Sequence, residues 1–148
     1  MLVNIKRVDK SLPMPTHATS GSVAFDLVVR ETKTIKPHEI ILVPLNAIIA
    51  TPAGYMLMLV ARSSLSRKKN LVMANSVGII DQDFCGPADE IHAQLWNIGE
   101  TDVTLERGER VAQGIFVKIE RAEWNELEET NEPSRGGFGS TGGYSAKT

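Results

Sequence analysis

Cysteine occurs once in the 148-residue chain, at Cys85. One thiol cannot build an internal disulfide framework, so a reducing, cytoplasmic setting is expected. Histidine is nearly as scarce. His17, His38 and His92 are scattered, and with a single cysteine and no H-x-x-x-H pair they do not form a zinc-binding pattern. No run of about 20 apolar residues occurs, so nothing reads as a membrane span. The N-terminal M-L-V-N-I-K-R lacks an apolar segment behind a basic start, so no secretory signal is expected. Positive charge is not in excess: 16 Lys and Arg against 18 Asp and Glu give a formal net charge of −2. That argues against a broad nucleic-acid-binding face, yet a small phosphorylated ligand needs only a few local cations.

What remains is an ordinary globular composition, 42% apolar and 23% charged, in a chain long enough for one domain with a core. Short runs rich in β-branched residues are divided by Gly and Pro turns. Residues 2–7 alternate apolar and polar, and 11–21 read as a loop with two prolines. G-S-V-A-F-D-L-V-V at 21–29 reads as a strand. Residues 33–50 read as two strands cornered by Pro37 and Pro44, and Met56 to Ala61 as another. Lys68, Lys69 and Asn70 read as a solvated turn. Short strands follow at 101–107 and 108–119. Helical periodicity is almost absent, which predicts an all-β sandwich or barrel. The β domain is expected over residues 1–130. A Gly-rich C-terminal arm is expected over 131–148, flexible when free.

The chain is organised around Asn75 to Asn97. Val77, Ile79 and Ile80 lead to Asp81; Asp83, Phe84, Cys85, Gly86 and Pro87 turn the chain; Ile91, Ala93 and Leu95 alternate with His92, Gln94 and Trp96. This predicts a long β-hairpin with acids at its mouth, either an ordinary hairpin or one whose backbone reads the edge of a flat ring.

Four other stretches carry candidate chemistry, each with two readings. Asp26 interrupts an apolar strand, either as an acid pointing outward or as one holding a metal's water shell. Arg62, Ser63 and Ser64 end a strand, either as a plain helix cap or as phosphate-binding groups. Gln113 lies among apolar neighbours and needs a polar partner, backbone or ligand. From Glu120 to Glu132 the chain carries six Glu and no clear period, though Trp124 and Leu127 are candidates to pack. Beyond it, S-R-G-G-F-G-S-T-G-G-Y at 134–144 is either a solubilising end or a closing segment. Fully extended, the chain from Glu120 onward spans on the order of 90 Å, enough to serve a subunit other than its own.

Taken together, these stretches resemble the trimeric dUTPases. The resemblance runs over nearly the whole chain and through five motifs in order: G-S-V-A-F-D-L at 21–27; A-R-S-S-L-S at 61–66; N-S-V-G-I-I-D-Q-D-F-C-G with E-I-H-A-Q-L-W-N; G-E-R-V-A-Q-G-I-F at 108–116; and R-G-G-F-G-S-T-G at 135–142. It implies a jelly-roll subunit and a homotrimer with active sites shared between subunits. It also implies hydrolysis of dUTP to dUMP and pyrophosphate with Mg²⁺, which limits uracil incorporation into DNA and supplies dUMP for dTMP synthesis.

Residue by residue, the resemblance makes Asp81 the base that activates water for attack on the α-phosphorus. Asp26 would hold Mg²⁺ through its waters. Arg62, Ser63, Ser64 and Gln113 would contact phosphates. Asn75 and the backbone around Gly78 and Ile80 would read uracil. Phe84 would pack under the deoxyribose and exclude a 2′-hydroxyl. In the arm, Phe138 would stack on uracil, while Arg135, Gly139, Ser140 and Thr141 would close over the phosphates.

The chain departs from the pattern at Phe84 (usually Tyr), Ala24 (Gly), Ala61 (Pro) and Ser64 (Gly), and in three extra residues, Pro87, Ala88 and Asp89. None removes a group the chemistry needs. A dCTP deaminase of the same fold is the alternative enzyme, but Gln94 stands where that family has a glutamate. A non-catalytic dUTP-binding regulator would lack Asp81 or Asp26, and both are present.

Overall fold

Strands here are short because the apolar stripe is repeatedly cut by Gly, Pro and Asn, several of which turn the chain where other residues strain. The computed structural model describes residues 1–137. In chain order the elements are β1 (Ile5–Arg7), β2 (Thr16–His17), β3 (Phe25–Val28), β4 (Lys33–Ile35), β5 (Ile40–Pro44), β6 (Ala47–Ile49), β7 (Tyr55–Ala61), α1 (Leu65–Lys69), β8 (Leu71–Met73), β9 (Gly78–Ile80), β10 (His92–Asn97), β11 (Val103–Leu105) and β12 (Arg110–Lys118). The described residues are all-β with one short helix. A five-stranded sheet runs β2-β3-β12-β7-β9, a three-stranded sheet β5-β10-β8, and two pairs complete the fold, β1-β6 and β11-β4. Every pairing is antiparallel.

One apolar core holds these sheets together. Leu27, Ile35, Val43, Leu57, Ile91 and Leu95 are sealed from solvent, and they come from five different segments of the chain. Burial of each such side chain contributes about 1.5–3 kcal/mol relative to exposure. The central contact is between β3 and β12. Gly114 faces Phe25 across the ladder, and a Cβ at Gly114 would stand 2.5 Å from the Phe25 ring. Gly114→Ala is therefore expected to lower stability by about 1–3 kcal/mol, the usual range for overpacking. A urea midpoint equal to that of the wild type would count against this account of Gly114.

Several sequence expectations need correction. The long hairpin does not form. β9 pairs with β7 in the five-stranded sheet, whereas β10 pairs with β5 and β8 in the other sheet. Residues 81–91 thus carry the chain from one sheet to the next. Alternation along β10 is as expected, with Ala93 and Leu95 inward and His92 and Trp96 outward. The apolar pattern sets which face is buried, but it does not choose the partner strand. Residues 33–50 make three strands rather than two, because Asn46 takes a positive φ of 61° and turns β5 into β6. Strand β1 covers only Ile5–Arg7 of the expected 2–7, and the expected loop at 11–21 contains the two-residue β2, paired to β3.

Lys68 and Lys69 complete α1 rather than a turn. Lys69 Nζ lies 2.9 Å from Glu109 Oε1, and Asn70 caps the helix with φ 52°. Among the described residues regular structure ends at Lys118, and residues 120–137 are all exposed. Trp124 and Leu127, candidates to pack, are 93% and 62% exposed in the single chain.

Candidate active site

Two polar groupings stand at opposite ends of β7. The first is built where β3, β12 and the end of β7 meet. Asp26 on β3 lies opposite Gln113 on β12, which in turn lies opposite Val60 on β7. Asp26 is only 8% exposed, so it does not point outward. A buried carboxylate needs charged or hydrogen-bonding partners, and it has two. Arg62 Nε lies 2.9 Å from Asp26 Oδ1, and Arg110 Nη1 donates to Asp26 Oδ2 at 3.0 Å. A cavity of about 210 Å³ is lined by Ser22, Asp26, Arg62, Ser63 and Gln113, among others.

Gln113 finds a backbone partner, donating from Nε2 to the Ala61 carbonyl at 3.2 Å. Ser64 occupies the cap position of α1, but its hydroxyl makes no capping hydrogen bond. The helix-cap reading therefore places the residue correctly and leaves the hydroxyl without that job. Arg110 is the participant that sequence reading missed. It opens an outward-facing strand position, and no spacing marks it; only the folded pairing of β3 with β12 brings it to Asp26.

The second grouping lies at the sheet's margin. Among the described residues β9 pairs with β7 on one side only, so its other edge presents backbone N–H and C=O groups without a strand partner there. Gly78 and Ile80 belong to this edge strand, and Asp81 follows it. Asn75 is exposed in the turn before it, where Ser76 takes a φ of 62°. Asp81 is exposed, and among the described residues its carboxylate takes no hydrogen bond or ion pair. Phe84 is 40% exposed. Asp81 and Asp83 line a cavity of about 510 Å³ with Tyr55, Met56 and Arg121.

Register measures how far apart the two groupings are. Ile80 lies opposite Leu57, so Asp81 falls level with Met56, whereas Arg62 follows the far end of β7. From Met56 to Arg62 is six strand steps, about 20 Å at about 3.3 Å per residue. One chain therefore brings Asp26, Arg62, Ser63 and Gln113 together, and separately Gly78, Ile80, Asp81 and Phe84. It does not bring Asp81 to Arg62. Arg135 is exposed in the arm. Phe138, Gly139, Ser140 and Thr141 lie outside the described residues.

The donor set for a magnesium ion is sparse. Among the described residues no three His, Cys, Asp or Glu converge. Asp26 has each oxygen engaged by a guanidinium, but a carboxylate offers roughly four lone-pair sites. It can therefore still hold a metal's water, although it cannot chelate the ion without giving up an arginine. That fits a cation that keeps its waters and takes its direct ligands from phosphate.

An antiparallel β chain with an arginine–serine cluster at one end of a central strand and a free acid on the open edge at the other is of the class that handles small anionic ligands. Comparison narrows the class. A family model described as dUTPase matches residues 10–142, and the chain belongs to the dUTPase family. It is 38% identical to the deoxyuridine 5′-triphosphate nucleotidohydrolase of Helicobacter pylori strain P12, over 96% of this chain and 97% of that one. It is also 38% identical to the Escherichia coli enzyme of the same name, over 92% and 91%. A crystal structure of dUTPase from Streptococcus mutans superposes with a TM-score of 0.75 at 35% identity, covering 81% of this chain and 98% of that one. A variant dUTPase of Staphylococcus bacteriophage 80alpha, solved with dUpNHpp, superposes with a TM-score of 0.84 at 25% identity, covering 95% and 98%.

Proposed function

We propose that this protein hydrolyses dUTP to dUMP and pyrophosphate, in active sites assembled between the subunits of a homotrimer. Family membership supports the reaction. The observation that carries the shared site is the separation along β7: Asp81 and the Arg62 cluster stand about 20 Å apart in one chain, beyond the reach of one α-phosphorus. Copies of the chain related by rotation can set the Asp81 end of one against the Arg62 end of the next. The arm, exposed from Glu120 to Gly137, is long enough to reach a third contributor.

In this reading the free edge of β9 around Gly78 and Ile80 reads uracil, together with Asn75. Uracil has an N3–H donor between two carbonyls, a pattern that an extended backbone can match and that cytosine lacks. Phe84 packs under the deoxyribose. Arg62, Ser63, Ser64 and Gln113 hold phosphate oxygens, the guanidinium supplying paired donors. Asp26 keeps Arg62 in place and would hold a magnesium ion through its waters. Magnesium, when bound, offsets charge on the triphosphate.

Asp81 accepts a proton from a water molecule in line with the α-phosphorus. The water oxygen forms the new P–O bond. The bond from the α-phosphorus to the α–β bridging oxygen breaks, and pyrophosphate departs with the electron pair. Arg135, Phe138, Gly139, Ser140 and Thr141 are assigned to closure, which excludes bulk water and strengthens each charged contact. The product dUMP serves dTMP synthesis, and removal of dUTP limits uracil incorporation into DNA.

The test is incubation with each deoxynucleoside triphosphate and Mg²⁺, assaying pyrophosphate and ammonia. Pyrophosphate from dUTP alone is expected. Ammonia from dCTP would instead mark a deaminase, against which stands Gln94, half-buried on β10, with no carboxylate to shuttle protons. The sugar contact has its own test. Phe84→Ala is expected to narrow discrimination of dUTP over UTP by about 10-fold or more, as a hydroxyl is admitted where the ring stood. Unchanged selectivity would mean the sugar is read elsewhere.

A further inference from the structure

Asp81 sits at a strand end, where a backbone ladder frays first. The backbone register of β9 with β7 is Gly78 to Leu59, Ile79 to Met58 and Ile80 to Leu57, and there it stops. Continued by two steps, the same register sets Asp81 against Met56 and Gln82 against Tyr55. Gln82 does meet Tyr55, through its side chain: Nε2 donates to the Tyr55 carbonyl at 3.0 Å, from a half-buried position. The amide thus supplies a rung after the backbone has ceased to do so.

Its acceptor is firmly held. Tyr55 is paired with Lys118 on β12, and its own N–H donates to the Pro52 carbonyl at 3.1 Å. Next door, Ile119 N–H donates to the Gly54 carbonyl at 2.9 Å. On the other side of the junction support is weak. Among the described residues, the only bond closing the turn back onto Asp81 runs from Phe84 N–H to the Asp81 carbonyl, at a long 3.4 Å.

We infer that Gln82 is a positioning residue for Asp81, a side-chain staple that extends the β7–β9 ladder past its last backbone rung and holds the base in register. The inference rests on the reading of Asp81 as the base. It assigns Gln82 no contact with substrate. Without the donor, residues 81–84 lose their tie to the sheet. Asp81 then samples positions displaced from the line of attack, and displacement on the scale of 1 Å costs up to about 100-fold in rate.

Two variants test it. Gln82→Met keeps length and bulk but removes the donor, and Gln82→Asn keeps the amide but falls one carbon short of Tyr55. Both are expected to lower kcat for dUTP about 10- to 100-fold, with KM within about twofold of wild type, because uracil and phosphate contacts lie elsewhere. Melting temperature should move by no more than about 2 °C, because a single half-buried hydrogen bond is a small part of the total stability. Amide hydrogen exchange at residues 81–84 should accelerate while that of β7 stays unchanged. Wild-type kcat in Gln82→Met, or exchange at 81–84 unaltered by both variants, overturns the staple. So does a loss of kcat that tracks a fall in melting temperature. A wild-type protein that releases no pyrophosphate from dUTP defeats the reading of Asp81, and the exchange measurement still decides whether Gln82 secures the segment.

Discussion

Asp81→Asn is expected to lower kcat for dUTP by about 10³-fold, within the range a general base contributes, while binding of the nucleotide stays within about threefold of wild type. Asparagine matches aspartate in shape, so the edge of β9 and the turn to Phe84 are undisturbed. What it lacks is a lone pair basic enough to take a proton from water. The setting of Asp81 suits that job: the carboxylate is exposed and has no partner among the described residues. Asp26, by contrast, is buried and has each oxygen in contact with a guanidinium, that of Arg62 or Arg110. Binding by isothermal titration with a non-hydrolysable dUTP analogue, alongside a pyrophosphate assay, checks both halves. Normal turnover in this variant would remove Asp81 from the mechanism.

Deletion of residues 134–148 is expected to reduce kcat/KM by on the order of 100-fold, on the scale of lost orientation and water exclusion. It should leave the proposed trimer intact. The segment removed carries Arg135, Phe138, Gly139, Ser140 and Thr141, the residues assigned to closure. Among the described residues, the buried cluster and the side chains packed on it include none after Phe116. Stability and assembly should therefore survive while activity falls. Size-exclusion chromatography with light scattering and steady-state kinetics on the truncated chain give the result. Unaltered kinetics would show that the C-terminal segment is a bystander.

The two effects differ in kind, and that separates the roles. Asp81→Asn acts on the chemical step after the nucleotide is bound, so it appears in kcat. Truncation removes the groups proposed to gather around a bound triphosphate, so it is expected in KM as well. A rescue of truncated activity at high dUTP, with none for Asp81→Asn, is the pattern expected of a base and a closing arm.

Much of this was legible in the residues before folding. Short alternating runs between Gly, Pro and Asn require strands, because a half-buried pleat has period two. The all-β class and the inward set of β10 follow directly. Acid, arginine and serine types stood out as polar breaks in apolar runs, and five ordered stretches together resembled one family. Partner choice was another matter. Nothing in Val77 to Ile80 says that β9 joins β7 rather than β10, since either pairing buries the same face. Long-range contacts settled it, and with it the free edge beside Asp81. Nor does Asp26 announce whether it faces water or two guanidiniums. Arg110 lies 84 residues away in sequence, and only the β3–β12 ladder brings it within 3.0 Å. Composition and periodicity thus determined the class of structure and the kinds of chemistry available. Only tertiary structure decided which groups meet, because register and strand order arise from packing across the core rather than from local pattern. It also placed Asp81 and the Arg62 cluster at opposite ends of β7.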